Sequence, residues 1–212
     1  QLVSSTVAID MPAGPSEVAV LADRSCDPVF VAADILSQAE HGPDSQAVLV
    51  SDSSEVIAKT VSEIGQRIAS LPRRRIAETA ISNSIAILVE DLTAGIDLIN
   101  EYAPEHLILA VKDADEFADK VVNAGSVFLG NYACESLGDY AAGTNHTLPT
   151  AGFARAFSGV SLDSFFKKIT FQKVNADGIK SIGPAVELMA EAEGLEAHRR
   201  AVSVRLEAIH GI

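Results

Sequence analysis

From residue 17 to about residue 130, short apolar runs alternate with longer stretches whose apolar residues recur at helical spacing. The runs Glu17–Ala22, Gln46–Val50, Ser84–Val89, Leu107–Val111 and Ser126–Leu129 predict strands. Between them, Asp27 followed by Pro28 predicts a capped helix running to about Glu40, stopped by Gly42 and Pro43. Ser53 and Ser54 open a longer helix with Ile57, Val61, Ile64 and Ile68 on one face. Pro72 breaks it, and a second helical piece continues to about Ser82. Asp91–Tyr102, with Leu92, Ile96 and Ile99 in register, and Asp113–Asn123 complete the helices. This alternation predicts an α/β fold: an incomplete Rossmann-like, mostly parallel, doubly wound sheet with a helical C-terminal tail. Ligands of such sheets bind beyond the carboxyl ends of the strands, so a site is expected there.

The flanks differ in character. Leu2–Ile9 alternates and is β-branched, which predicts a strand, and DMPAGPSE after it is turn chemistry. The segment ESLGDYAAGTNHTLPT, Glu135 to Thr150, mixes acid, amide, imidazole, glycine and proline and is expected to be a long shaped loop. Ser161–Lys168 suggests a short helix and Ile169–Val174 a strand. From Ala176 onward the chain reads as helical, with Ile182, Val186 and Met189 on one face and Gly194 as a break. A thin tail of this kind cannot bury its own apolar face, so it is expected to dock on the body or on another subunit. Residues 1–16 are expected to end a preceding domain, 17–159 to form the Rossmann-like domain, and 160–212 to form the docking tail. Because a strand-like run follows directly on Gln1, the chain is expected to be the C-terminal part of a longer polypeptide.

A net charge of −13 argues against a nucleic-acid surface, which needs a basic patch to meet phosphates. No apolar run approaches the roughly 18 residues of a membrane span. Cys26 and Cys134 are far apart, with no CxxC, which suggests free thiols in a reducing, cytoplasmic compartment. There is no HExxH, no Walker loop and no GxGxxG, so the commonest protease, phosphate-loop and dinucleotide motifs are absent.

What remains is a scattered set of polar residues. Gln38 and His41 are three apart near a helix end, so they face the same way and are able to hold one ion. A helix-terminal histidine answering the macrodipole is the alternative. Glu105 and His106 stand at a loop–strand junction. A carboxylate beside an imidazole suits acid–base work, although alternation along a strand would send them to opposite sides. Asp139 and His146 come from the long segment; Glu193 and His198 flank Gly194. Asp, His, His and an amide oxygen suit a borderline ion such as zinc, but spacing alone does not show that they converge. Such a set leaves open a zinc hydrolase and a non-catalytic metal-binding or dimerisation module.

Six stretches together resemble histidinol dehydrogenase, in order and over residues 1 to about 206: SSTVAIDMPAGPSEV, AADILSQAEHGPDSQ, YAPEHL, NAGSVFLG, ESLGDYAAGTNHTLPTAGFAR with SGVSLDSF, and EGLEAHRRAV. The resemblance implies a zinc-dependent enzyme that oxidises L-histidinol through L-histidinal to L-histidine with two NAD in succession. It implies zinc ligands at Gln38, His41, Asp139 and His198, and an acid–base pair at Glu105 and His106. Substrate contacts would involve Ser16, His146 and Glu193, together with His106 and the zinc ligands. It further implies an intertwined homodimer in which the tail, with Glu193 and His198, completes the partner's site. The NAD-contacting residues would lie upstream of this chain, so the 212 residues alone are expected to be inactive. No role falls on Cys134.

Overall fold

The computed structural model describes residues 11–211, so the strand expected at Leu2–Ile9 lies outside the described residues. The chain forms two compact units, divided after Phe166.

The first unit is built on five strands: β1 (Glu17–Ala22), β2 (Gln46–Ser51), β3 (Ile85–Leu88), β4 (His106–Ala110) and β5 (Ser126–Leu129). Every pairing is parallel, and the order is β3-β2-β1-β4-β5. Val18 lies between Ala47 and His106, and His106 lies opposite Ser126. The chain therefore reverses its direction of travel across the sheet between β1 and β4, as in a Rossmann-like fold.

Side-chain alternation splits the core in two. Val18, Val20, Leu49, Ile108 and Phe128 point to the face covered by α1 (Pro28–Ala39) and α2 (Ser54–Arg67), through Val31, Ile35 and Val56. Ala19, Leu21, Val48, Val50, Leu107 and Leu109 point to the other face, where α4 (Leu92–Tyr102) supplies Ile96 and Ile99 and α5 (Ala114–Ala118) supplies Ala114. A further helix, α3 (Arg74–Ser82), packs Ala77 and Ala80 against Ala39 at the end of α1. The sheet is thus doubly wound, as the alternation predicts.

The caps expected at Asp27 and Ser53 form, and Asp91 caps a further helix. Asp27 accepts from the Val29 N–H with Pro28 following it, Ser53 accepts from Val56 N–H, and Asp91 accepts from Ala94 N–H. Three expectations change. The helix begun at Asp113 stops at Ala118, because the Asn100 side chain takes the Val122 N–H at 2.7 Å and the Asn123 N–H at 3.2 Å. The segment Glu135–Thr150 is not a loop throughout: Glu135–Tyr140 forms α6. Ile169–Val174 forms no strand: all six residues are exposed, so their alternation buries no face.

The second unit is a helical hairpin. α7 (Ala176–Ala192) ends at Glu193, Gly194 turns the chain at φ 71°, and α8 (Glu196–His210) follows. The two helices approach closely at Gly183, where a Cβ would stand 3.0 Å from Leu206 and 3.2 Å from Val202. Ile182, Val186, Leu188 and Met189 remain exposed along α7.

Candidate active site

The entry to β4 sets the geometry. α4 ends at Ala103, a buried residue held in the left-handed region at φ 55°, and Pro104 follows. A non-glycine residue there is uncommon and is maintained only by a surrounding structure that demands it. The turn delivers Glu105 and His106 to the start of the strand. Gly125 closes the turn: its N–H donates to Pro104 O at 2.9 Å, and a Cβ there would lie 2.6 Å from Glu105 O.

Glu105 and His106 come together, contrary to the simple alternation argument. His106 Nδ1 is 3.6 Å from Glu105 Oε2. Glu105 precedes the strand proper, so its side chain follows the bend and not the pleat. Both side chains are nearly buried, and both are anchored to Glu17 at the start of β1. The Glu17 N–H donates to Glu105 Oε2 at 2.8 Å, and the Glu17 carbonyl lies 3.2 Å from His106 Nδ1. The Glu17 side chain in turn accepts from the Ala151 N–H, tying in the end of the long segment.

Burial dominates the electrostatics. It pushes the Glu105 carboxyl up to about 7, aided by the charges of Glu17 and Asp139 and opposed by the Glu17 N–H. Burial also lowers the His106 pKa, with His41 and His146 adding to the effect and the Glu17 carbonyl and Asp139 opposing it. Cys26 is pushed up to about 11 by burial and by Asp23 and Asp27, so its thiol is inert.

Around His106 stand groups from two helices. α1 presents Gln38 in its last turn, and His41 follows just past its C-cap Glu40. α6 presents Glu135 and Asp139, four apart and so on one face. Gly138 lets α6 lie on Phe128, where a Cβ would meet the ring at 2.6 Å, and the Phe128 ring is 6.0 Å from that of His106. Asp139 Oδ1 is 3.9 Å from His106 Nε2. His41, Glu135 and Asp139 each bring one donor atom within 4.8 Å of the others, a spacing suited to a metal ion. Gln38 is fully buried, and neither of its amide atoms has a hydrogen-bond partner; Glu135 Oε2 and His106 Nε2 are likewise unpartnered. After burial, the influences that push the Glu135 carboxyl up to about 8 are all carboxylates: Asp139, Glu105 and Asp34.

This cluster lies at the amino edge of the sheet and not beyond the carboxyl ends, where the fold class alone would put it. Its members are the first residue of β4, the last turn of α1 with His41 just after it, and Glu135 and Asp139 of the short helix α6. Ser16 sits on the same edge, just before β1, lining a cleft of about 560 Å³ with Glu17, Tyr102 and Ala151. His146 is exposed on the segment after α6 and near enough to act on His106. Glu193 and His198 belong to the second unit, exposed at the end of α7 and in the first turn of α8. Sequence reasoning missed Glu17 and Glu135. A glutamate at the mouth of the buried run EVAVLA, and an acid four residues before Asp139, were the available signals.

Residues 1–206 match the family model described as histidinol dehydrogenase. The chain is 60% identical over 210 residues to histidinol dehydrogenase of Bacteroides fragilis (strain YCH46), covering 99% of this chain and 49% of that protein. It is 56% identical over 204 residues to the chloroplastic histidinol dehydrogenase of Oryza sativa subsp. japonica, covering 96% and 43%. The crystal structure of histidinol dehydrogenase from Elizabethkingia anophelis superposes with a TM-score of 0.93 at 57% identity, over 96% of this chain and 47% of that one. The chain thus spans about half the length of the curated relatives it matches. Among the described residues, no helix is long and apolar enough to cross a membrane.

Proposed function

Because this chain belongs to the histidinol dehydrogenase family, we propose that the protein carrying it oxidises L-histidinol through L-histidinal to L-histidine with two NAD in succession. The observation that carries this reading is the meeting of a buried Glu105–His106 pair with the donors of His41 and Asp139 at one edge of the sheet.

Zinc fits the residues present. Gln38 holds two buried amide atoms without partners, and His41 and Asp139 offer an imidazole and a carboxylate beside it. Gln38, His41 and Asp139 would hold the ion, with His198 of a second copy as a further ligand. When bound, zinc would fix the amino and imidazole groups of histidinol, holding the alcohol carbon next to nicotinamide.

His106 would take the hydroxyl proton at Nε2, and NAD, when bound, would supply the hydride acceptor. Its low pKa keeps the imidazole neutral and ready to accept. Glu105 serves the second oxidation. Ionised in part near pH 7, it would accept a proton from water as the water oxygen attacks the aldehyde, giving a hydrate suited to a second hydride loss. Ser16, His146 and Glu193 would contact the substrate, together with His106 and the zinc-holding residues. No residue of this chain is assigned to NAD.

Exposed Leu188 and Met189 on α7, and Phe171 before it, support docking of the second unit on another subunit. In the proposed homodimer, Glu193 and His198 would complete the partner's site.

Histidinol-dependent NADH formation by the zinc-loaded protein tests the reading. Hydrolysis of ester or amide substrates without NAD consumption would favour a zinc hydrolase instead.

A further inference from the structure

We propose that Asn145 is a positioning residue of the substrate site: its side chain folds the backbone into a turn with His146 at the apex and fastens that turn to Val160. The inference rests on the reading of His146 as a substrate contact.

The hydrogen bonds make a closed ring. Asn145 Oδ1 accepts from the Thr147 N–H at 2.7 Å, which closes an Asx turn across His146. Asn145 Nδ2 donates to the Val160 carbonyl. The Val160 N–H returns to the Thr147 carbonyl at 3.0 Å. One amide thus engages a backbone donor with its oxygen and a backbone acceptor with its nitrogen, and Val160 is held by both its backbone groups. The two stretches lie close together: a Cβ at Gly159 would stand 3.2 Å from the Thr147 carbonyl oxygen and 2.5 Å from Leu148 Cδ2.

The ring stands where direction matters. Just past it, Leu148 and Thr150 are buried, and the Ala151 N–H is held by the Glu17 carboxylate. The backbone of that same Glu17 holds Glu105 and His106. The stretch after His146 is therefore tied to the strand that carries the acid–base pair, and the His146 charge bears on His106. Residues 141–147 are exposed, so packing does little to direct the His146 imidazole; the hydrogen-bonded ring around its backbone does. Exposure also separates this role from a structural one. Water replaces a truncated amide at the Thr147 N–H and the Val160 carbonyl, so folding loses little, while the turn loses what ties it down.

Steady-state kinetics with histidinol test this on the protein carrying the chain, on Asn145→Ala, on His146→Ala and on the double variant. Asn145→Ala is expected to raise KM for histidinol about 5–10-fold with little change in kcat, because a small displacement of a substrate contact is costly. His146→Ala is expected to raise KM at least as much. In the His146→Ala background, Asn145→Ala is expected to add nothing, because the two residues act as one unit. An unchanged KM in Asn145→Ala beside a raised KM in His146→Ala would overturn the proposal alone. Equal rises from Asn145→Ala in both backgrounds would show that Asn145 acts elsewhere and would overturn it too. An unchanged KM in His146→Ala would overturn the reading of His146, and the proposal with it. Thermal melts check folding. Should Asn145→Ala not fold, Asn145→Ser replaces it with the same expectation: a serine hydroxyl still serves the Thr147 N–H but does not reach Val160.

Discussion

His106 presents Nδ1 to the backbone carbonyl of Glu17 at 3.2 Å, and this contact decides which ring nitrogen is basic. A carbonyl only accepts, so Nδ1 carries the proton and Nε2 of the neutral ring holds the free lone pair. That Nε2 is buried, without a partner, and 3.9 Å from Asp139 Oδ1. His106→Gln removes the base while leaving the proposed metal donors in place. We expect kcat for histidinol oxidation to fall about 10²–10⁴-fold, with zinc content unchanged. Steady-state NADH formation and metal analysis check both parts.

Glu105 gives the second oxidation its pH dependence. Glu17, His106 and Asp139 face it, and burial raises its pKa to about 7. The ionised form is the base, so the rate from histidinal should rise with pH through about 7 and level off above it. In Glu105→Gln that limb should vanish and the rate from histidinal should be about 10²–10⁴-fold lower. A pH–rate profile with histidinal as substrate makes the measurement.

Gly125 is where the site leans on the backbone. A Cβ there would stand 2.6 Å from Glu105 O and 3.2 Å from the Leu148 Cβ, and backbone on one side leaves little to yield. Gly125→Ala should cost about 1–3 kcal/mol of stability, the usual range for overpacking. It should also lower activity by shifting Glu105. Denaturant midpoints and turnover read the two effects.

Asp34 makes the fold pH-sensitive. Burial raises its carboxyl from 3.8 to about 7, so the folded chain favours the protonated form. Its stabilising contribution is present below pH ~4 and is lost as pH rises from about 4 to 7, because the unfolded chain sheds the proton first. Asp34→Asn should match wild type near pH 4 and exceed it by roughly 2–4 kcal/mol at pH 8. Unfolding curves at the two pH values decide this.

Local chemistry made the scaffold legible. The apolar runs that become β1, β2 and β4 are buried along nearly their whole length, and Asp27, Ser53 and Asp91 cap the helices they open. Long-range placement was not legible. His106 meets Asp139 only because α6 returns along the sheet, and no spacing in the sequence encodes that return. Gly138, Asp139 and the flanking polar residues suggested a loop, which hid the four-residue spacing between Glu135 and Asp139 that a helix turns into a shared face. Fold class misplaced the site as well. The rule about carboxyl ends follows from where strand-to-helix loops gather, whereas this cluster is built from helix ends at the opposite edge.

One metal and acid–base centre at the amino edge of the sheet underlies the proposed reaction. Zinc content and histidinol turnover, measured on the same preparations of wild type and Asp139→Ala, test it most directly. Wild type should hold zinc and form two NADH per histidinol. Asp139→Ala, still folded, should lose zinc affinity by about tenfold or more and lose turnover with it. A folded Asp139→Ala variant that keeps both its zinc and its turnover would contradict a metal centre built on Asp139.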